Sequence, residues 1–243
     1  MPEFEVIAHR GASHGWPENT EVAFDQALAE GADGIELDLQ LSADGMPVVF
    51  HDDRLGKLGH PLKHVRNFTL AQLQAMDAGR WFGAAPARML TLDEVLEGYA
   101  HKTRLYLEVK HTEHRPARHF QLAEAVAKSI SHHRNAIGIS VLSFHWKALA
   151  SMLEIVPEVA CVRNLDNRWG APMLRKYLPQ LAGVCINIDR FGPSQAAMLA
   201  SLNKPLYSYT CDSQVQLQRA AELGVTGIIT NYPARMREWM SSI

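Results

Sequence analysis

The chain contains 243 residues, of which 47% are hydrophobic and 21% are charged, and its formal net charge is −2 at pH 7. This length is typical of one α/β barrel or doubly wound domain, and it is sufficient to bury a large core without disulfides. The near-neutral charge excludes the strongly basic surface expected of a nucleic-acid-binding protein. The three cysteines are far apart and odd in number, so they predict neither a disulfide framework nor a CxxC metal site.

The N-terminal segment, residues 1–5, is acidic and leads directly into a short apolar run. It lacks the basic region, the long apolar region and the cleavage site of a secretory signal. No window of the sequence approaches the roughly 18 consecutive apolar residues of a membrane-spanning helix. We therefore expect a cytoplasmic protein without stable membrane insertion.

Short apolar runs alternate with longer periodic segments along the whole chain. Nine runs are predicted to be strands: 6–8, 34–39, 47–50, 105–109, 137–141, 159–162, 184–188, 206–209 and 227–230. Apolar residues recur at helical spacing in 116–133, and Thr69 and Thr91 each begin a capping-box sequence. The βαβα order predicts a mostly parallel sheet, and eight such strands complete a TIM-type (β/α)8 barrel.

The third predicted strand does not fit a parallel barrel. It follows the second after the short turn Ser42–Met46, which leaves no room for the crossover of about a dozen residues that parallel neighbours require. We therefore predict that this strand forms a hairpin outside an eight-stranded barrel. The connection that follows is unusually long, and residues 54 to about 90 are predicted to form a small, mainly helical insertion in a single domain of residues 1–243.

Three acidic residues occupy two of the predicted strands. Glu36 and Asp38 are two residues apart, and this spacing directs both carboxylates to one face of the strand. Glu108 lies at the corresponding place in a later strand. Carboxylates directed into a barrel repel one another unless a cation bridges them, and a set of oxygen ligands favours Mg²⁺ or Ca²⁺ over zinc. Acids facing solvent are the alternative, but their alternation with apolar residues favours one divalent cation.

Two of the 12 histidines, His9 and His51, each end a predicted strand, where active-site groups of a parallel barrel lie. An imidazole there can act as a general acid or base. Arg10 and Lys110 lie beside strand ends and would attract an anion. Three acids, one divalent cation and these two basic residues would leave one net positive charge, which suits a phosphodiester. Ion pairing of the basic residues with structural acids is the alternative.

The order of these motifs resembles that of the glycerophosphodiester phosphodiesterase family. The resemblance covers nearly the whole chain, and the combination is far more specific than any one motif. The matching segments are His9–Gly11, Pro17–Thr20, Glu36–Asp38, His51–Asp52, Glu108–Lys110, Ser143–Phe144 and Gly227–Thr230. The family is a metal-dependent phosphodiesterase on a TIM-type barrel with a small insertion. The three acids match its metal ligands, the two strand-end histidines its acid–base pair, and the two basic residues positions near the phosphate.

The resemblance implies hydrolysis of a glycerophosphodiester to glycerol 3-phosphate and an alcohol. One histidine would deprotonate water or the neighbouring glycerol hydroxyl, and the other would protonate the leaving alcohol. The chain departs from the family pattern at Tyr209, where a tryptophan is frequent, and at Asn231, where an aspartate is frequent. Neither belongs to the metal or histidine set. Phe144 and Tyr209 are candidates for the alcohol pocket, with ordinary barrel packing as the alternative.

Three other functions are consistent with parts of this pattern. A lysophospholipase D would use the same chemistry but requires an apolar entrance for an acyl chain. A non-catalytic phosphodiester-binding barrel would lack a catalytic histidine or a metal-binding acid, and none is missing here. A sugar isomerase on a metal-dependent barrel would leave the paired histidines and Arg10 without a shared purpose. The sequence therefore predicts an enzyme whose partner is a small-molecule glycerophosphodiester, and it predicts no oligomeric state.

Overall fold

A computed structural model describes residues 3–110, 116–133, 138–166, 178–201 and 203–242. Its nine strands form one sheet: β1 (Glu5–His9), β2 (Gly34–Leu41), β3 (Pro47–Val49), β4 (Arg104–Val109), β5 (Ile139–Ser143), β6 (Ala160–Leu165), β7 (Gly183–Asn187), β8 (Leu206–Tyr209) and β9 (Gly227–Thr230). Strand β1 pairs in parallel with both β2 and β9, so the sheet closes into a barrel of eight parallel strands. Strand β3 pairs antiparallel with β2, as the short turn predicts. The predicted TIM-type barrel with an extra hairpin strand is confirmed.

Helices follow most of the strands in the described part of the chain. They are α1 (Glu21–Ala29), α2 (Leu70–Gln74), α3 (Leu92–Tyr99), α4 (Pro116–Ser131), α5 (Trp146–Ile155), α6 (Pro193–Ala200), α7 (Gln214–Glu222) and α8 (Pro233–Ser241). Thr69 and Thr91 cap α2 and α3 with the predicted capping boxes, each accepting a hydrogen bond from a backbone N–H of the first turn. Among the described residues, no helix combines the length and the apolarity needed to cross a bilayer.

The barrel interior is filled by one inward-facing row of apolar side chains from six strands. These side chains are Ile7, Tyr106, Leu142, Val162, Cys185 and Ile229. Because strand side chains alternate between faces, the residue two positions further along each strand also faces inward, above this apolar layer. The residues so placed include His9, Glu108, Asn164 and Asn231. The polar site therefore lies at the carboxyl end of the barrel.

The segment 54–90 contains 3₁₀ turns at Gly56–Leu58, Val65–Asn67 and Arg80–Phe82, together with α2. Its apolar side chains form a separate small core with two residues of the β3 hairpin: Val48, Phe50, Leu55, Val65, Leu73 and Met89. This packing holds the segment against the chain that leads from β3 into His51. It therefore positions one wall of the site.

Gly11 makes the close approach of β1 to α1 possible. Its φ is +84°, and a Cβ added there would lie 2.6 Å from the carbonyl carbon of Ala23. We expect Gly11→Ala to destabilise the protein by about 2–4 kcal/mol, because it adds overpacking to an unfavourable backbone conformation. Urea unfolding followed by circular dichroism measures this change.

Gly45→Ala is the matched control. Gly45 has a φ of +83°, but no described atom lies within 4 Å of the added Cβ. This variant should lose only the backbone contribution, about 1 kcal/mol. Equal losses in the two variants would show that the contact with Ala23 relaxes freely.

Candidate active site

Three buried carboxylates meet where β2 and β4 end. The two strands are parallel neighbours, and Asp38 lies opposite Glu108 in their register. Glu36, Asp38 and Glu108 are 2%, 1% and 9% exposed, and one carboxylate oxygen of each lies within 4.8 Å of the others. The structure thus brings together the three acids that the sequence selects. It buries them rather than leaving them at a solvated sheet edge.

The three carboxylates repel one another because they lie close together and are shielded from water. Burial, together with the charges of Asp38 and Glu108, raises the pKa of Glu36 well above its usual value. Burial likewise raises the pKa of Glu108. For Asp38, burial acts in the same direction, but nearby basic groups reverse it and hold the pKa below its usual value. A divalent cation would remove the repulsion, and this oxygen-only donor set fits a hard cation such as Mg²⁺ or Ca²⁺.

Both predicted phosphate-binding residues contact the acid cluster. Lys110 Nζ lies 2.8 Å from Asp38 Oδ1 and 2.6 Å from Glu108 Oε1. Arg10 Nε lies 3.1 Å from Asp38 Oδ2, and its Nη1 lies 3.1 Å from Glu18 Oε2. The ion pairing considered as an alternative for these residues is therefore present. It holds both cationic groups at the rim where a phosphate would approach, and their phosphate role stays a prediction.

His9 is oriented by a hydrogen-bonded chain at the end of β9. Its Nδ1 lies 2.7 Å from Asn231 Oδ1. The orientation of this amide is fixed by its other partners, since Asn231 Nδ2 donates to Asp212 Oδ2 at 2.6 Å and Ser13 Oγ donates to Asn231 Oδ1 at 2.8 Å. Asn231 Oδ1 is an acceptor only, so Nδ1 of His9 carries the hydrogen.

The opposite nitrogen of His9 faces the acids. Its Nε2 lies 3.9 Å from Glu36 Oε2. Burial and, to a smaller extent, the Arg10 guanidinium lower the pKa of His9 to about 4. At pH 7 the ring is therefore neutral, and its unprotonated Nε2 is free to accept a proton.

His51 has a different partner. Its Nδ1 lies 2.8 Å from Asp52 Oδ1, and this hydrogen bond is the main cause of the lowered pKa of Asp52. Lys57, in the segment 54–90, lies 3.3 Å from Asp52 Oδ2 and 2.7 Å from Glu18 Oε1. Its ammonium also lies 4.5 Å from the centre of the Trp81 ring. The insertion therefore contributes directly to the surroundings of His51.

The two candidate pocket residues lie at the carboxyl ends of two further barrel strands. Phe144 directly follows β5, and Tyr209 is the last residue of β8. Their ring centroids are 5.7 Å apart in an edge-to-face arrangement, and Phe144 is 38% exposed. The Tyr209 hydroxyl donates to the Leu165 carbonyl at 3.0 Å. The two rings form an aromatic wall at the carboxyl ends of β5 and β8.

Sequence reasoning assigned no site role to several polar residues that contact the predicted set, although some of them lie in the matched motifs. Asn231 and Asp52 orient the two histidines. Asn19 Nδ2 donates to Asp38 Oδ2 at 2.9 Å, and Asn164 Nδ2 donates to Glu108 Oε2 at 3.2 Å. Asn164 and Asn231 could have been found from the alternation of side chains in β6 and β9, because each lies two positions beyond an inward-facing apolar residue. Asn19 lies in the matched segment Pro17–Thr20, but its contact with Asp38 depends on the fold of the first loop.

The arrangement of carboxylates and imidazoles at the carboxyl rim defines the chain as an α/β-barrel enzyme. Comparison with known proteins gives the family: the model of the glycerophosphoryl diester phosphodiesterase family matches residues 9–235. The chain belongs to this family.

Individual relatives and solved structures agree with this assignment. A glycerophosphodiester phosphodiesterase of Bacillus subtilis is 29% identical over 94% of this chain and 83% of its own length. One from Bacillus altitudinis is 31% identical over 95% of this chain and 96% of its own length. An Oleispira antarctica phosphodiesterase, solved in complex with the product sn-glycerol-3-phosphate, superposes with a TM-score of 0.88 at 27% identity, covering 98% of this chain and 96% of that one.

Proposed function

We propose that this chain hydrolyses glycerophosphodiesters to glycerol 3-phosphate and an alcohol, using one divalent cation and two histidines with different roles. The observation that carries the proposal is the meeting, at one barrel rim, of three buried carboxylates with two imidazoles that have unlike partners. Family membership supports the reaction itself. The whole chain would act as one phosphodiesterase barrel with 54–90 as its insertion, since residues from both surround the site.

Glu36, Asp38 and Glu108 would hold one Mg²⁺ or Ca²⁺. Their burial and their oxygen-only chemistry suit such an ion, and burial together with repulsion from the other two carboxylates raises the pKa of Glu36. When bound, the cation supplies Lewis-acid polarisation of a non-bridging phosphate oxygen. Arg10 and Lys110, held at the rim by their ion pairs, would add positive charge beside the same phosphate.

The partners of the two histidines assign their roles. His9 is neutral at pH 7 and turns Nε2 towards the acid cluster, so it would act as the general base on water or on the glycerol hydroxyl. His51 donates through Nδ1 to the Asp52 carboxylate, which orients the ring. With His9 as the base, His51 would be the group that protonates the leaving alcohol.

The wall formed by Phe144 and Tyr209 would line the pocket for the alcohol. Both rings lie at the carboxyl rim, and Phe144 has an exposed face. We also place the reaction in the cytoplasm, where thiols stay reduced; this agrees with the three cysteines being unpaired.

A substrate panel tests the proposal. The purified chain is assayed for glycerol 3-phosphate release from glycerophosphocholine and glycerophosphoethanolamine and for choline release from lysophosphatidylcholine, each with Mg²⁺, Ca²⁺ or Mn²⁺ and with EDTA. We expect EDTA to lower turnover of the glycerophosphodiesters about a hundredfold or more, and a divalent ion to restore it.

Each part of the proposal has its own contradicting result in this assay. Full turnover in EDTA would contradict the cation. Faster turnover of lysophosphatidylcholine, assayed by choline release, would favour a lysophospholipase D. No release from any diester under any ion would contradict the function itself.

A further inference from the structure

Asn164 lies beside the acid cluster, at the floor of the site. It lies on β6, and its side chain points into the barrel two positions beyond Val162 of the apolar layer. The residue is 3% exposed. Its Nδ2 donates to Glu108 Oε2 at 3.2 Å, while the other oxygen of Glu108 is held by Lys110. Its amide is therefore anchored at the nitrogen end, directly beside the proposed reaction centre.

The oxygen of the same amide has no hydrogen-bond partner in the described part of the chain, although it is fully buried. Buried side-chain acceptors in native proteins are nearly always satisfied, and an orphaned one at a site edge indicates a missing donor. The anchoring contact excludes a simple exchange of the two amide ends, because an oxygen placed against the Glu108 carboxylate would be repelled. Asn164 Oδ1 is thus an acceptor without a donor, lying at the floor of the site.

The chemistry of the substrate identifies that donor. An ionised phosphodiester carries oxygen acceptors only, and a choline head group has no hydrogen-bond donor. The free hydroxyls of the glycerol group are the donors that every glycerophosphodiester brings to the site. The acid cluster also offers the cation three carboxylates without Asn164, so the amide oxygen is free to serve the substrate.

We propose that Asn164 is a specificity-determining residue whose Oδ1 accepts a hydrogen bond from a free hydroxyl of the glycerol group. Its contact with Glu108 fixes the direction of this acceptor relative to the acid cluster. The inference rests on the proposed function, because it takes a glycerophosphodiester as the substrate. This hydrogen bond would let the site distinguish glycerol from a simple alkyl group, because an alkyl group leaves the buried Asn164 Oδ1 without a donor.

A cycle of variants and analogues tests this role. Wild type and Asn164→Ala are assayed on glycerophosphocholine and on its two deoxy analogues, the phosphocholine esters of propane-1,2-diol and propane-1,3-diol. We expect wild type to lose about tenfold to a hundredfold in kcat/KM on the analogue that lacks the recognised hydroxyl. The variant should lose a similar factor on glycerophosphocholine and nothing further on that analogue, so that the ratio of the two substrates falls to about one.

Equilibrium binding provides a readout that does not depend on turnover. The Kd of glycerol 3-phosphate and of the matching propanediol phosphates is measured by calorimetry for both proteins, and the preference for glycerol 3-phosphate should disappear in the variant. Asn164→Leu, which keeps the side-chain volume, replaces the alanine variant if thermal unfolding shows that alanine disrupts the barrel.

Asn19→Gly is the matched control. Asn19 is also a buried amide that donates to a cluster carboxylate, but its Oδ1 already accepts from the Asp38 backbone N–H at 3.4 Å. Glycine suits its φ of +58°. This variant should lower turnover of all three substrates by one common factor and leave their ratios at the wild-type values.

The possible outcomes separate the inference from the function on which it rests. The inference would be overturned if Asn164→Ala kept the wild-type ratio of kcat/KM between glycerophosphocholine and its deoxy analogues. If the variant kept this ratio but needed more divalent cation, Asn164 would instead contribute to binding of the ion. Absence of any glycerophosphodiester turnover in wild type would instead reject the proposed function.

Discussion

Asp38→Asn is expected to lower kcat/KM for glycerophosphocholine by about a thousandfold or more. The Asp38 carboxylate is the central group of the site, in contact with Lys110, Arg10 and Asn19. Asparagine keeps the shape but removes the charge, and it turns an NH₂ group towards one of these donors. The variant should therefore lose affinity for the divalent cation and misplace both basic residues. Steady-state kinetics at saturating Mg²⁺ or Ca²⁺, with calorimetric titration of the ion, measures the two effects.

Asp33→Asn is the control at the opposite end of the same strand. Asp33 precedes β2 and accepts a hydrogen bond from the Val6 N–H at 2.7 Å, far from the carboxyl rim. This variant should lose some stability and keep its ion affinity and kcat/KM within a few fold. A folded Asp38→Asn protein with more than about a tenth of wild-type kcat/KM would contradict the role proposed for Asp38.

The barrel was predictable because its signals are local. Each strand is a short apolar run of distinctive composition, and the turn Ser42–Met46 is too short for a parallel connection. Together these features predict both the eight parallel strands and the antiparallel strand β3. The internal core of the insertion was not predictable, because its members are spread over 48–89 and are neighbours only after folding.

The acid cluster was predictable for the same reason as the barrel, since Glu36 and Asp38 share a strand face. The partner of His9 was not. His9 and Asn231 are joined only because β1 and β9 close the barrel, and no spacing in the sequence links them. The sequence therefore identifies two histidines without distinguishing them, and the proposed assignment of His9 as the base depends on its long-range contact with Asn231 and on its burial.

The proposed roles of His9 as base and His51 as acid predict the second large effect on kcat/KM. His51→Ala should lower kcat/KM for glycerophosphocholine by about a hundredfold to ten-thousandfold, because the leaving choline oxygen would depart without a proton. On the glycerophosphodiester of p-nitrophenol the loss should shrink to about tenfold or less, since the phenolate leaves unprotonated. His9→Ala should lose a similar large factor on both substrates, because the nucleophile needs its base whatever the leaving group. Paired steady-state measurements on the two esters, with thermal unfolding as the check on folding, give these ratios.

The neighbouring carboxylate sharpens the interpretation of this result. Asp52 contacts His51 Nδ1 at 2.8 Å and does not contact His9, so Asp52→Asn should reproduce the leaving-group dependence of His51→Ala at smaller size. If the two histidine variants exchange their patterns, His9 is the acid and the assignment from hydrogen-bond partners is wrong. If His51→Ala loses the same factor on both esters, His51 does not protonate the leaving group.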